Sequence, residues 1–322
     1  MRSRIEPCWI DHLAMALAKP WVFILAIGFI LIPTDVLLGA MRSGAAFLKI
    51  GTGARPTAMG EAYTALADDV NALYYNPGGL ARLPKRELGA THTEWLLGTK
   101  FDFIGYAHPT SLGTFGLGLT RLTGGDQEGR DANRQATAGF AASDTAYALA
   151  FSRRLDNGGT SLGTSLKFLQ SRIGSYSAST FAMDFGAQRQ LKSRPMTLGV
   201  SLLNVGQGMR YLSQRDPLPL TMSAGAAYRL GGVLQMAVDV RHEVPDRRTS
   251  VGIGTEYAVF PSFALRMGYG SGLVDAGSGP WAEWAAGSGS SWGTTGRTTR
   301  SRLSASSATP RGSRSAPDSD TS

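Results

Sequence analysis

The sequence predicts an all-β protein, an antiparallel transmembrane β-barrel with a short helical segment ahead of its first strand. Three observations carry that expectation. Beyond about Arg86 the side chains alternate with a period of two, apolar against small or polar, which is the pattern of strands with two unlike faces. The chain holds 41 glycines in 322 residues and only 17% charged residues, where an average soluble domain carries about 25% charged. An apolar run near the N-terminus has the build of an export signal.

That run, Trp21 to Ile32, reads WVFILAIGFILI, with Lys19 ahead of it and Gly39-Ala40 behind. It is too short for a bilayer-spanning helix, which takes about 20 residues. A basic lead, an apolar core and a small-residue exit predict a secretory signal over residues 1–40, cleaved near Ala40. The single cysteine, Cys8, lies before the run, so no disulfide framework is possible.

Between the signal and the first strand, residues 41–84 contain Pro56 followed by the alanine-rich stretch Ala58 to Ala67, which predicts a short helix with Pro56 in its first turn. Asp68-Asp69 would close that helix with the wrong charge for a C-terminus, so these carboxylates are expected to serve elsewhere.

Residues 85–280 carry the strands. In Leu112 to Leu122, Phe115, Leu117 and Leu119 share one face, while Thr114, Gly116, Gly118 and Thr120 share the other. The same alternation recurs in Ser161–Phe168, Met196–Leu202, Leu234–Arg241, Ser250–Val259 and Ser262–Tyr269. About eleven strands are expected between Glu87 and Gly270. They begin near Glu87, Phe101, Leu112, Ala136, Thr145, Ser161, Ser179, Met196, Thr221, Val233, Ser250 and Phe263, with Ala136 and Thr145 starting one bent strand. Tight turns fall at Asp156 to Gly159 and at Gly231-Gly232, and longer polar loops at Thr123 to Gln135 and Gly206 to Pro219. Strands joined by alternately short and long connections are the pattern of membrane barrels. A soluble, exported β-sandwich that binds a ligand shows similar alternation and is the minor alternative. The small residues of the second face suit a narrow lumen. Trp95, Phe101, Phe103, Tyr106, Tyr228 and Tyr257 are expected near strand ends, as interfacial girdles.

The segment before the first strand contains Ala46-Phe47-Leu48-Lys49-Ile50, Gly53-Ala54-Arg55, Ala58-Met59-Gly60, Ala67-Asp68-Asp69 and Tyr75-Asn76-Pro77-Gly78-Gly79-Leu80. It resembles the start of the PorV/PorQ-like outer-membrane proteins, relatives of the FadL long-chain fatty-acid transporters. The resemblance runs on through Leu198 to Gly206 and Leu218-Pro219, up to about Gly279. It implies a fourteen-strand barrel in a Gram-negative-type outer membrane, whose N-terminal segment folds into the lumen as a hatch. Ala67, Asp68, Asp69, Asn76, Pro77, Gly78, Gly79 and Leu80 would be the hatch motif. Charged groups of the hatch would then pair with the lumen-facing Lys167, Asp239, Arg241, Glu256 or Arg266, because buried charges need partners.

After Pro280 the alternation stops, and residues 281–322 are rich in Ser, Gly, Thr and Arg. Two readings fit: a disordered tail, or a frameshift that has removed the last strands. A shifted frame over codons permitted for Pro280 to Arg314 restores alternation and yields DYALTPFGELG, which resembles the ending of this family.

No catalytic constellation is present. His12, His92, His108 and His242 lie far apart, with no metal-ligand spacing, nucleophile elbow or phosphate loop. A non-enzymatic protein without metal or cofactor is expected. The charge of +8 is scattered singly along strands and loops, which argues against nucleic acid. The expected partners are outer-membrane lipid and either exported proteins of a secretion system or a hydrophobic small molecule. The main reading is a PorV/PorQ-type protein acting in transport or protein export, and the alternative is a FadL-like passive channel for hydrophobic small molecules.

Overall fold

The computed structural model describes residues 43–94, 98–125, 127–130, 136–155, 159–211, 213–260, 263–271 and 283–289. The expected signal segment and the tail beyond 289 lie outside them. The strands in chain order are β1 (Glu87–Glu94), β2 (Lys100–Pro109), β3 (Thr114–Thr123), β4 (Gln127–Arg130), β5 (Ala136–Phe140), β6 (Ala142–Arg154), β7 (Thr160–Ile173) and β8 (Tyr176–Gln190). They continue with β9 (Met196–Gly206), β10 (Met209–Tyr211), β11 (Gln214–Asp216), β12 (Thr221–Leu230), β13 (Leu234–Glu243), β14 (Arg248–Phe260), β15 (Phe263–Gly270) and β16 (Glu283–Gly289).

Twelve of these form one antiparallel sheet in the order β1-β2-β3-β6-β7-β8-β9-β12-β13-β14-β15-β16. Every strand pairs with its neighbour in that order, the up-and-down meander of a membrane barrel. Among the described residues β1 pairs only with β2 and β16 only with β15. Strands such as β7 and β8, of 14 and 15 residues, exceed the 9 to 11 that a tilted strand needs to cross a bilayer. Eleven of the twelve lie between Glu87 and Gly270, as the alternation predicts. The twelfth, β16, takes residues from the stretch expected to be tail.

Two expectations need correction. The stretch beginning at Ala136 is not the start of a bent strand. It forms β5, which pairs with β4 in a separate hairpin of the 123–135 loop region. The loop 206–219 likewise folds back on itself as the β10–β11 hairpin.

The two faces of the sheet are opposite in character. Outward side chains include Ile104, Leu117, Leu149, Leu166, Phe181, Met236, Ile253 and Met267, each more than two-fifths exposed. A continuous apolar belt of this kind has no place in water and matches the lipid-facing band of a membrane barrel. The inward positions are mostly Gly, Ala, Ser and Thr, with a few charged residues and a few larger ones such as Leu169 and Gln188. Phe101 and Phe103 depart from their expected place. They are 1% and 2% exposed, because the β2 register turns odd-numbered residues inward, and Phe103 packs against Tyr74 and the buried cluster of the N-terminal segment. Tyr228 and Tyr257 do face outward, and Trp95 lies outside the described residues.

Candidate functional site

The inner face of the sheet packs against residues 43–83, the segment expected as a hatch. This hatch consists of a 3-10 turn at Ala46–Lys49, a short helix α1 (Ala54–Ala58), a second α2 (Ala72–Tyr75) and a 3-10 turn at Pro77–Arg82. The helix expected over Ala58 to Ala67 ends at Ala58. Gly60 and Glu61 take left-handed backbone angles, φ 59° and 60°, and the chain then runs irregularly along the wall. The physical reason lies in its amides. The N–H groups of Tyr63 and Thr64 donate to the Asp239 carboxylate of β13 at 2.8 and 2.6 Å, an interaction that a continuing helix would forbid.

Glycine on the wall permits this approach at two places. A Cβ on Gly186 of β8 would sit 2.8 Å from the Gly78 nitrogen, and one on Gly254 of β14 would sit 2.8 Å from Met59 Cα. The hatch therefore packs backbone against backbone, and its own side chains fill the centre. Met59, Tyr63, Leu73 and Leu80 are wholly buried there, together with Phe103 of the wall.

Arg55 of α1 is the electrostatic hub. Its Nε and Nη2 donate to Glu256 of β14 at 2.8 and 3.1 Å. Its Nη1 donates to Asp68 at 2.6 Å, to Asp69 at 3.2 Å and to the Tyr63 hydroxyl at 2.9 Å. Burial pulls the guanidinium pKa down, but Tyr63, Asp68, Asp69 and Glu256 together hold it well above the usual arginine value. Burial also pushes the phenols of Tyr63, Tyr74 and Tyr75 well up, with neighbouring acids adding to the shift. These rings pack edge-on, with centroids 5.5 Å apart for Tyr63–Tyr75 and 5.2 Å for Tyr74–Tyr75.

The two halves of the sequence motif meet in space. Asn76 is fully buried and its side chain makes three bonds. It donates to the carbonyls of Thr64 (2.7 Å) and Ala187 (3.2 Å) and accepts from the Gly78 amide at 3.0 Å. Pro77 then opens the 3-10 turn. Gly79 lies against the Ala67 carbonyl, where a Cβ would clash. Gln188 of β8 donates to the carbonyls of both Thr64 and Ala67 at 3.0 and 2.9 Å. Leu80 is wholly buried.

Of the five expected lumen charges, Glu256, Asp239 and Arg241 touch the hatch directly, Arg241 through Glu61. Arg266 acts through Glu256. Lys167 pairs within the wall, with Asp184 at 2.8 Å and Asn204 at 2.9 Å. That pair occupies a register break between β8 and β9, where Asn204 adopts φ 61°. Sequence reasoning assigned no role to Arg55, Glu61, Gln188, Asp184 or Asn204. Arg55 did carry a signal, being the one charge between Lys49 and Glu61 in a segment expected to be enclosed.

The ends of the lumen differ. At the end with the longer connections, Phe47 and Leu48 of the hatch pack with Leu169, Met209 and Leu218 into a second apolar cluster. Lys49 and Ser43 bind Asp246 there. At the end with the short turns, Arg82, Arg154 and Arg229 surround a polar cavity. On the outer face, an apolar furrow of about 830 Å³ is lined by Phe151, Leu155, Leu162, Phe185, Val200 and Met222.

A transmembrane-type meander with a charged, motif-bearing segment packed on its inner face defines the class: this is the architecture of an outer-membrane-type β-barrel. The family model described as "Uncharacterised protein family (UPF0164)" matches residues 40–190, the hatch and β1 to β8. No curated protein matches the sequence. Among solved structures, the toluene transporter TodX of Pseudomonas putida is similar with a TM-score of 0.55 at 14% identity, over 74% of this chain and 88% of that one. The toluene transporter TbuX of Ralstonia pickettii is similar with a TM-score of 0.52 at 14% identity, over 77% and 91%. The likeness is one of fold.

Proposed function

We propose that the protein is a passive outer-membrane channel for hydrophobic small molecules, with residues 43–83 as its movable plug and no catalytic role. The observation that carries this reading is the apolar cluster at the long-loop mouth, built jointly by hatch and wall residues. Solute-conducting porins present a polar, water-filled lumen. Here Phe47, Leu48, Leu169 and Leu218 are buried against one another at the long-loop side, so parting the hatch from the wall would uncover a surface that favours an apolar molecule over a hydrated one. The fold shared with two toluene transporters supports permeants of that size and chemistry. In this reading Trp21 to Ile32 serves as the export signal and the outward belt contacts outer-membrane lipid.

The test is uptake by liposomes containing the purified protein. Toluene or a fluorescent naphthylamine is expected to equilibrate faster than in empty liposomes, and glucose is not. Equal acceleration of glucose, or none for the apolar probes, refutes the proposal.

A further inference from the structure

The cavity at the short-turn mouth is about 280 Å³, near the lower limit of small-molecule pockets, so it suits a head group and not a whole ligand. Three guanidiniums from three elements line it: Arg82 from the hatch turn, Arg154 from the end of β6 and Arg229 from β12. Their partners do not balance their charge. Among the described residues Arg82 donates to neutral oxygens, those of Gln190 (2.9 Å), Gln188 and Thr197 (both 3.4 Å). Arg154 donates to the backbone carbonyls of Ala81 and Arg82. Among the described residues the one carboxylate lining the cavity is Asp68. Its Oδ1 lies 2.6 Å from Arg55 and its Oδ2 3.8 Å from Arg229, so this one carboxylate is shared between two guanidiniums. Like charges held this close repel one another unless an anion joins them.

We propose that Arg82, Arg154 and Arg229 form an anion site at the short-turn mouth of the lumen, which binds the carboxylate or phosphate group of a small molecule or lipid. Short turns face the periplasm in barrels of this kind, so the site stands where a permeant leaves the hatch. Guanidiniums match both oxyanions through paired, charge-assisted hydrogen bonds. Ser161 and Gln190 supply further polar groups on the cavity wall. Because Arg82 belongs to the hatch while Arg154 and Arg229 belong to the wall, a bound anion also ties plug to barrel.

The test is calorimetric titration of the full chain in detergent micelles at low ionic strength, with sodium phosphate as probe. Saturable binding is expected, weakened by added salt. It should fall about tenfold or more in Arg154→Gln and in Arg229→Gln, as the loss of one charge-assisted hydrogen bond requires. Arg229→Lys should recover part of the affinity, and unchanged heat-modifiable gel migration shows that the barrel remains folded. Competition separates the sources. Displacement of phosphate by octanoate at lower concentration than by acetate assigns the site to an amphipathic permeant. Equal displacement assigns it to the anionic group alone, as in a lipid head. No saturable phosphate binding, or undiminished binding in the Arg154→Gln/Arg229→Gln double variant, overturns the proposal. Liposome uptake is measured separately, so loss of this site and failure of the channel reading are distinguishable.

Discussion

Replacing Arg55 by methionine tests whether the hatch is latched by charge. Methionine keeps an unbranched apolar stem, so packing is largely retained and the guanidinium is what disappears. Five hydrogen bonds go with it, two to Glu256, one each to Asp68 and Asp69, and one to the Tyr63 hydroxyl. The three carboxylates have side chains 9–31% exposed, so solvent only partly replaces the lost partner. Removing one member of a buried pair costs about 3–5 kcal/mol. Glu256 keeps Arg266, and Asp68 keeps Arg229 at 3.8 Å, which points to the lower end, about 3 kcal/mol. That shifts the docked-to-released equilibrium of the hatch roughly a hundredfold. Single-channel recording in planar bilayers reads it directly: R55M is expected to open far more often than wild type at the same step size. Heat-modifiable migration should be unchanged, since the barrel ladders do not involve Arg55. An open probability equal to that of wild type refutes the latch.

Three further outcomes follow from particular groups. Asn76→Ala removes the side-chain partner of the Gly78 amide and one donor each from the Thr64 and Ala187 carbonyls, Thr64 keeping Gln188; a buried group left without a partner costs about 1–3 kcal/mol, so limited proteolysis is expected to cut the hatch of the variant while sparing wild type, and equal protection refutes the role. Tyr63, Tyr74 and Tyr75 have phenol pKa values raised in the folded chain, and their unfolded counterparts ionise near pH 10. Their contribution to stability is therefore complete below about pH 10 and is lost as the pH rises above it, once only the unfolded chain releases these protons. Absorbance titration at 295 nm should show fewer tyrosinates at pH 11 in the folded protein than after denaturation, and identical curves refute it. Finally, the shifted frame over Pro280 to Arg314 is proposed to supply the closing strands. A chain carrying it should refold into liposomes with heat-modifiable migration more completely than the chain as written, and resequencing that returns the present frame refutes the idea.

The wall was legible in the sequence because a strand has one period and two environments. Leu117 against Gly116, or Ile253 against Gly252, already separates lipid from lumen, and all six alternating segments become strands of the main sheet. The exceptions lie where the lumen is not solvent but protein. Phe101 and Phe103 read as interfacial aromatics because a girdle and a plug-facing ring have the same residue type; only the β2 register against β1 decides between them. Ala58 to Ala67 read as helix because alanine propensity is local, whereas the Asp239 carboxylate that captures the Tyr63 and Thr64 amides lies 176 and 175 residues away. No window of sequence contains that competition.

The same reasoning gives the small-residue face a sharper meaning. A narrow lumen alone would accept alanine or serine at any inward position. Gly186 and Gly254 are different, because backbone of the hatch occupies the place where a Cβ would stand. Glycine in the wall and irregular backbone in the hatch are therefore one feature viewed from two chain segments. Apolar packing holds the segment at its centre and at the long-loop end, through Leu73, Leu80 and Phe103 and through Phe47, Leu48 and Leu169, and charged groups add a second hold. Arg55 with Glu256, Arg241 with Glu61 and Asp239 with two amides supply that hold. Such contacts weaken as water enters, whereas a packed apolar seam does not, so of the two holds the charged one is what wetting of the lumen would loosen first.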